Sequence, residues 1–257
     1  MVTRDTAWPE GTPCWVDLGV DNIARASAFY AGLFGWDVLA GPPEAGGYSM
    51  CLRGGRPLAG IGPRQGPPGT PPVWTTYLAS DDADGTAAKI TKAGGQLVVQ
   101  PFDVMDAGRM AMAADPGGAV FGIWQAGAHT GFGVANEPGT VSWNENHTRD
   151  FDGSKAFYQA VFGYDYGDVA GAGIRYATLR LAGRDVGGIM ELDGGVPAEV
   201  PAHWETYFAV PGADAAVAAT RAAGGAVIRA PWDTPYGRMA IVTDDQGAEF
   251  SVISQPG

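Results

Sequence analysis

The 257-residue sequence predicts an α+β protein made of two homologous halves, each built from two βαβββ modules. The clearest observation is a repeat: FYAGLFGW at 29–36 returns as FYQAVFGY at 157–164. Other short motifs recur in the same order at nearly constant spacing, namely the pair WTTY and WETY, then AGG and GRMA. A repeat of this length is domain-sized and too long for a solenoid. We therefore predict a first domain at 12–126, a linker at 127–139 and a second domain at 140–257.

The first module opens with a strand and a helix. Residues 13–20 alternate between the two faces of a half-buried strand. The helix is predicted to run from an N-cap at Asn22 to Phe34, with the FY motif as its apolar stripe. Gly35 follows where a left-handed residue would end the helix. Three short strands, separated by glycine and proline clusters, are predicted at 36–39, 48–52 and 58–61.

The second module repeats this order, and the second half repeats both modules. The strand, the alanine-rich helix and the three closing strands of the second module are predicted at 73–79, 82–93, 96–100, 109–114 and 119–125. In the second half, modules are predicted to start near Val141 and His203, with helices near 150–162 and 213–223. The aromatic side chains of the two FY motifs are predicted to lie in the core.

Composition limits the classes of partner and the cellular location. The net charge of −12 argues against nucleic acid, which requires a basic surface. No segment approaches the roughly 18 consecutive apolar residues of a membrane span, and the N-terminus lacks a secretory pattern. The two cysteines form neither a metal motif nor a disulfide framework. We therefore predict a cytoplasmic protein with no membrane partner.

The motifs WVDL at 15–18, WNE at 143–145, DPGG at 115–118 and the repeated GRMA, set in paired βαβββ modules, resemble the vicinal oxygen chelate superfamily. That group includes glyoxalase I, extradiol dioxygenases and bleomycin-resistance proteins. More narrowly, the chain is similar to two-domain actinobacterial proteins described as hydroxylase or glyoxalase-like. The resemblance covers nearly all of residues 12–254. It is specific for fold and weak for chemistry, because the superfamily shares a scaffold and not a reaction.

The resemblance implies tandem glyoxalase-like domains, with the four modules paired into two cupped sheets. Helices would lie on the convex side of each sheet, and a small organic molecule would bind in the cup. Single-module relatives commonly pair across chains to complete a cup. This chain carries both partners of each pair, so a monomer is feasible and a homodimer is possible.

The resemblance also implies where a divalent metal would bind in catalytic relatives, on one ligand from the first and one from the last strand of each module. In this chain those registers fall on Trp15, Trp143, Thr75, Glu205, Gly122 and Ser251. Most of these side chains cannot bind a metal, so the full glyoxalase ligand set is predicted to be absent. Glyoxalase I and extradiol dioxygenase activity are therefore disfavoured.

Polar groups nevertheless remain on the expected cup face of the second half. Alternation places Glu145 and His147 on one face of their strand, and His203 and Glu205 on one face of the next. These four side chains are the candidate ligands of a divalent metal, and Glu145 and Glu205 are the candidate catalytic residues. The alternative is that both glutamates bond backbone or Arg238 while both histidines face solvent at strand ends.

The two halves differ at these positions. The first half has Asp17, Gly19, Val73 and Thr75 where the second has the four candidate ligands. Any metal or acid/base chemistry is therefore predicted in the second half, whereas the first cup is an aromatic pocket or is closed. His129, alone in the linker, is not expected to matter.

The candidate ligand-binding residues are Trp15, Asp17, Thr75, Arg109, Trp143, Glu145, Tyr207 and Arg238. The two arginines occupy the same place in each half, within otherwise apolar strands. Each needs a carboxylate partner, for which Asp17 and Glu145 are the expected choices, or an anionic ligand. The two tryptophans are read either as pocket wall or as core.

Two hypotheses for function remain open. The first is a protein that binds or sequesters a small molecule in an aromatic-walled, metal-free pocket. The second is an enzyme, hydroxylase-, lyase- or oxygenase-like, that acts on a small carbonyl or polyketide-like metabolite. Its acid/base group or metal ligand would be Glu145 or Glu205. The missing ligand set favours the first hypothesis.

Overall fold

A computed structural model describes residues 2–66, 69–169 and 175–254 of the chain. The predicted second domain at 140–257 therefore includes two short stretches that lie outside the described residues. The first half contains helices α1 (Ile23–Phe34) and α2 (Ala83–Lys92), and strands β1 (Val2–Thr3), β2 (Pro13–Val20), β3 (Asp37–Ala40), β4 (Ser49–Arg53), β5 (Arg56–Pro63), β6 (Val73–Ala79), β7 (Gln96–Val104), β8 (Gly108–Ala114) and β9 (Val120–Ala126).

After β10 (Val134–Ala135), the second half contains helices α3 (Phe151–Phe162) and α4 (Ala213–Ala222), and strands β11 (Val141–Thr148), β12 (Asp165–Asp168), β13 (Tyr176–Leu181), β14 (Arg184–Glu191), β15 (His203–Ala209), β16 (Ala226–Thr234), β17 (Gly237–Thr243) and β18 (Glu249–Ser254). No helix in the described parts of the chain combines the length and apolarity needed to span a membrane.

Each half forms its own eight-stranded sheet. The first has the order β3-β4-β5-β2-β6-β9-β8-β7, and the second has the order β12-β13-β14-β11-β15-β18-β17-β16. In both sheets two βαβββ modules meet through an antiparallel pair of first strands, β2 with β6 and β11 with β15. Within each module the first and last strands pair in parallel, as β2 with β5. The predicted fold class is confirmed.

Helices α1 and α3 begin and end where their capping residues predict. The side chain of Asn22 accepts the backbone N–H of Arg25, and Gly35 ends α1 with a φ of 72°. In α3, Asp150 and Gly163 do the same, with a φ of 73° at the glycine. The aromatic side chains of both FY motifs are buried, as predicted.

The two sheets pack through their helix-bearing faces, so the buried cores are shared between the halves. In one core, the ring of Phe34 lies 5.0 Å from that of Phe208. In the other, Phe121 lies 6.3 Å from Phe157. Although each half has its own sheet, neither has a core made from its own residues alone.

Two buried hydrogen bonds connect the halves at pseudo-symmetric places. The hydroxyl of Tyr30 in α1 donates to Asp244 at 3.1 Å, and that of Tyr158 in α3 donates to Asp115 at 3.0 Å. Each aspartate also accepts a backbone N–H within its own turn, so it fixes the turn before the last strand of its half. The FY tyrosine of one half thus holds a turn of the other.

Candidate functional site

The candidate residues Asp17, Thr75, Glu145 and Glu205 lie on the sheet faces opposite the helices. Strand pairing places Asp17 beside Thr75 in the first sheet and Glu145 beside Glu205 in the second. Because paired residues share a face of a sheet, these four side chains lie on the predicted cup faces. The first cup is the face that carries Asp17, and the second cup is the face that carries Glu145.

Each cup contains a carboxylate that is hydrogen-bonded by two tyrosines. We call the carboxylate and its two tyrosines the floor cluster of that cup. In the second cup, the hydroxyl of Tyr176 donates to Glu145 Oε1 at 2.7 Å, and that of Tyr207 donates to Oε2 at 2.8 Å. Trp143 Nε1 donates in turn to the Tyr176 hydroxyl at 3.0 Å. The carboxylate of Glu145 is therefore buried but well supplied with donors.

The first cup has the same cluster. Tyr77 donates to Asp17 at 3.0 Å, Tyr48 bonds the same carboxylate, and Trp15 Nε1 donates to Tyr48 at 2.9 Å. The rings of Tyr48 and Tyr77 lie over Gly60 and Gly122, where any side chain would overlap them. Sequence reasoning missed Tyr48 and its counterpart Tyr176. Their matching positions in the two halves were the signal that would have found them.

The cups differ beside the floor cluster. Where the first half has Gly19, Val73, Thr75, Val120 and Gly122, strand pairing puts His147, His203, Glu205, Glu249 and Ser251 in the second. Four of these changes introduce a polar side chain, the fifth replaces the hydroxyl of Thr75 by the carboxyl of Glu205, and all five lie on three neighbouring strands. Side chains of the types that can bind a metal or transfer a proton are thus concentrated in the second cup.

Three of these side chains converge, and we call them the rim triad: His203, Glu205 and Glu249. Their ligand atoms all lie within 4.8 Å of one another. Because a carbonyl can only accept, the contact of 2.9 Å between His203 Nδ1 and the Pro201 carbonyl oxygen means that Nδ1 donates. Nε2 is then the lone-pair nitrogen, and it lies 4.0 Å from Glu205 Oε2. A histidine that donates from one ring nitrogen to a carbonyl and has a lone pair on the other is the usual arrangement of a metal ligand, and here Nε2 would bind the metal.

The rim triad overlaps only in part with the four candidate metal ligands. It contains His203 and Glu205, whereas Glu145 and His147 belong to a separate hydrogen-bonded pair. Glu249 was missed because the family register points to Ser251, two residues later on the same face of β18. The parallel pairing of β15 with β18 brings Glu249 beside Glu205.

The surroundings of Glu205 and Glu145 shift the pKa values of the two carboxyls in opposite directions. Burial raises the pKa of Glu205 to about 7, against the opposing effects of His147 and of the Ser251 hydroxyl, which donates at 2.7 Å. Burial also acts on Glu145, but hydrogen bonds from His147, Tyr176 and Tyr207 outweigh it and lower the pKa. Two neighbouring carboxyls with separated pKa values are typical of acid/base sites.

The alternative interpretation of the histidines and glutamates is wrong in two respects. His147 is not in solvent: it is 5% exposed, and its Nε2 lies 3.2 Å from Glu145 Oε2. Its ring is 4.8 Å from that of His203. Neither Glu145 nor Glu205 bonds Arg238, because that guanidinium is engaged elsewhere.

The prediction that Arg109 and Arg238 pair with Asp17 and Glu145 is also wrong. Arg109 Nε lies 2.7 Å from Asp84, and a second nitrogen lies 2.9 Å from Asp103. Arg238 repeats this with Asp214 and Asp233. These aspartates come from the helix and the edge strand next to each arginine, so neither Asp17 nor Glu145 is needed. Both guanidinium groups are satisfied without an anionic ligand.

The two cup tryptophans have different surroundings. Trp15 is 4% exposed, with the ring of His129 at 4.3 Å and that of Phe132 at 5.7 Å, so the linker covers it and leaves little surface for a ligand. His129 thus packs in the first cup, and the expectation that it takes no part in metal binding or proton transfer stays a prediction. Trp143 is half-buried and remains a candidate wall of the second cup.

A cleft of about 140 Å³ opens elsewhere, beside Trp8, Asp81 and Thr130. None of the candidate site residues lines it. The aromatic-walled pocket of the second cup therefore stays a prediction.

We expect Asp17→Asn to remove a pH dependence of stability. Burial raises the pKa of Asp17 to about 7, against hydrogen bonds from Tyr77 and Tyr48, so the folded protein holds a proton that the unfolded chain releases near pH 4. The wild-type free energy of unfolding should therefore fall between pH 4 and pH 7. The variant should match wild type at pH 4 and be more stable by about 1–3 kcal/mol at pH 8 in urea titrations. Equal stability at pH 8 would contradict a buried, proton-holding Asp17.

Known proteins resemble this chain along nearly its whole length. The family model of the glyoxalase/bleomycin resistance protein/dioxygenase superfamily matches residues 14–123 and 146–252. CFP32 of Mycobacterium bovis, a provisional glyoxylase by its name, is 45% identical over 256 residues that cover 97% of each chain. The anthracycline biosynthesis protein DnrV of Streptomyces peucetius is 37% identical over 262 residues, covering 96% of this chain and 94% of DnrV.

Solved structures share the fold at low sequence identity. The Mn(II)-bound glyoxalase from Novosphingobium aromaticivorans has a TM-score of 0.66 at 15% identity, with 96% of this chain and 83% of that chain covered. The 2,3-dioxygenase LapB from Pseudomonas sp. KL28 has a TM-score of 0.64 at 12% identity, with 96% and 95% covered. Because a single family model matches both halves and the relatives align almost from end to end, this chain belongs to the glyoxalase/bleomycin resistance protein/dioxygenase superfamily.

Proposed function

We propose that the second cup binds a small organic molecule bearing carbonyl or hydroxyl oxygens and transfers protons on it, with a divalent cation held by the rim triad. The observation that carries this proposal is the convergence of His203, Glu205 and Glu249 beside a buried glutamate–histidine pair. The first cup is the internal comparison, because the same backbone positions there carry Val73, Thr75 and Val120.

The donors of the rim triad fit a divalent cation. One imidazole and two carboxylates are ligands that manganese, iron and zinc accept, and three protein ligands leave positions for a bound oxygen. The buried carboxyl of Glu205 has a raised pKa, so a cation would balance a charge that burial disfavours. When bound, such a cation would polarise a ligand oxygen and make nearby protons more acidic.

The relatives support the choice of ligand class. CFP32 carries the name of a glyoxylase, and DnrV is named for anthracycline biosynthesis. We therefore favour a small carbonyl compound or a polyketide-like metabolite. The half-buried Trp143 would provide an apolar wall for a molecule of either kind.

Metal-free binding is the second candidate function. It is supported by the floor cluster, in which the donors of Glu145 already satisfy the carboxylate, and by the absence of the family ligand set at the registers of Trp143 and Ser251. A protein of this kind would hold its ligand by aromatic contact and hydrogen bonds, with no reaction.

A titration with Mn²⁺ by calorimetry distinguishes the two candidates. We expect wild type to bind one equivalent, and Glu249→Gln to bind at least about ten-fold more weakly, because a charged ligand becomes neutral. Glu249 is exposed at the start of β18, so this change should leave the fold intact. Asp17→Asn, in the first cup, is the matched control and should bind as wild type does.

Two outcomes would overturn the metal proposal. The first is that wild type takes up no Mn²⁺, Fe²⁺ or Zn²⁺, which leaves metal-free binding as the function. The second is that Asp17→Asn weakens binding as much as Glu249→Gln does, which would place the cation outside the rim triad.

A further inference from the structure

We propose that Glu145 is a positioning residue that fixes the imidazole of His147 in one tautomer, so that His147 is the group that accepts a proton from the bound molecule. This inference rests on the function proposed above and deepens it, because it separates the roles of two residues in one cup. It also replaces the expectation that Glu145 is itself the acid/base group.

Glu145 is poorly placed to act as a base. It is 7% exposed, and both its oxygens already accept hydroxyl hydrogen bonds, from Tyr176 at 2.7 Å and from Tyr207 at 2.8 Å. A third donor, His147 Nε2, lies 3.2 Å from Oε2. A carboxylate with three donors around it is stabilised in its charged form and gains little by taking a proton.

The same contacts define the state of His147. An ionised carboxylate only accepts hydrogen bonds, so in the neutral imidazole of His147 Nε2 donates and Nδ1 carries the lone pair. Among the described residues, no hydrogen bond is made to Nδ1. The ring also lies 4.8 Å from that of His203. His147 therefore lies between the floor cluster and the rim triad. Its Nε2 is hydrogen-bonded to Glu145, and its Nδ1 makes no hydrogen bond within the described residues.

The proton balance of the proposed step is simple. A proton on carbon or oxygen of the bound molecule moves to Nδ1 of His147, and the molecule keeps the electron pair of the broken bond. The imidazole becomes an imidazolium whose positive charge is balanced by the Glu145 carboxylate at 3.2 Å. The two tyrosines hold that carboxylate still while the charge develops.

The first cup shows that the floor cluster does not need a histidine to form. Asp17 is held by Tyr77 and Tyr48 in the same way, but Gly19 occupies the position of His147. The carboxylate–tyrosine arrangement is thus common to both cups, and the imidazole is an addition in the second. A purely structural role for Glu145 would give no reason for that addition.

The test is nitrogen NMR of the full chain with ¹⁵N-labelled histidine, at pH 8 and with a chelator present. The signals of the three histidines are assigned with His147→Asn and His203→Asn. We expect wild-type His147 to show a single tautomer, with protonated Nε2 and unprotonated Nδ1. Trp143 already donates to the Tyr176 hydroxyl, so in Glu145→Gln that hydroxyl still needs an acceptor and keeps the amide oxygen at the place of Oε1. The amide NH₂ then takes the place of Oε2 and faces His147, so the signals should shift to the opposite tautomer or to a mixture. Asp17→Asn is the matched control and should leave His147 unchanged.

The result separates this inference from the proposed function. Because the measurement is made without metal or ligand, a fixed tautomer in a protein that binds no Mn²⁺ would refute only the metal proposal. A mixture of tautomers in wild type, or an unchanged tautomer in Glu145→Gln, would overturn the positioning role. If the variant does not fold, a mixture of tautomers in the wild-type spectrum would still overturn the positioning role.

Discussion

The Glu205→Gln variant is expected to bind Mn²⁺ at least about ten-fold more weakly than wild type, and yet to be more stable than wild type without metal. Glu205 is 4% exposed, and burial raises its pKa to about 7. Above pH 7 the folded protein therefore holds a buried charge at a cost, which the neutral amide avoids. Each pKa unit is worth about 1.4 kcal/mol, so the gain in unfolding free energy at pH 8 is at most about 3.5 kcal/mol.

Calorimetry and urea unfolding in the presence of a chelator measure the two effects. The stability gain should shrink at pH 5, because the carboxyl is then protonated in the folded protein and the two side chains are both neutral. The Ser251 hydroxyl can still donate to the amide oxygen, so the local hydrogen bond survives. Thr75→Val, at the corresponding position of the first cup, is the control for metal binding and should not change it. Unchanged Mn²⁺ affinity in Glu205→Gln would remove Glu205 from the site.

We expect Tyr30→Ala to cause the largest loss of stability, at least about 3–5 kcal/mol. Tyr30 is fully buried, its ring stacks on Trp36 at 5.4 Å, and its hydroxyl accepts from Trp74 at 3.0 Å and donates to Asp244. Truncation would open a cavity between the halves and leave Asp244 and the indole N–H of Trp74 without their partner. Tyr30→Phe keeps the ring and should cost about 1–3 kcal/mol.

The measurement is urea unfolding followed by tryptophan fluorescence and by circular dichroism. Because Tyr30 connects both halves, both signals should move together to lower urea in one transition. Tyr158→Ala should behave alike, since its hydroxyl bonds Asp115 across the other shared core. Tyr236→Ala is the matched control, because Tyr236 is 56% exposed. If Tyr30→Ala instead separated unfolding into two transitions, the halves would have independent cores.

The sequence by itself determined the local structure and the duplication. Strand β6 runs from Val73 to Ala79 as predicted, and α1 starts after Asn22 and ends before Gly35. These features depend on side-chain alternation and on capping groups within a few residues, which can be read without knowing the fold. The same alternation placed Glu145 and His147 on one face of their strand. Comparison of the two repeats then indicated that only the second half has several nitrogen and oxygen ligand atoms at the corresponding cup positions.

The tertiary structure decided which of these residues meet. Glu249 joined His203 and Glu205 because β18 pairs in parallel with β15, and Tyr176 reached Glu145 from β13, two strands away in the sheet. Arg238 found its carboxylates on its own helix and edge strand, and Trp15 was covered by the linker. Contacts of this kind depend on strand order and register, and on how the halves pack. A shift of one residue in pairing turns a side chain to the other face, so alternation along one strand cannot select its neighbours on the next.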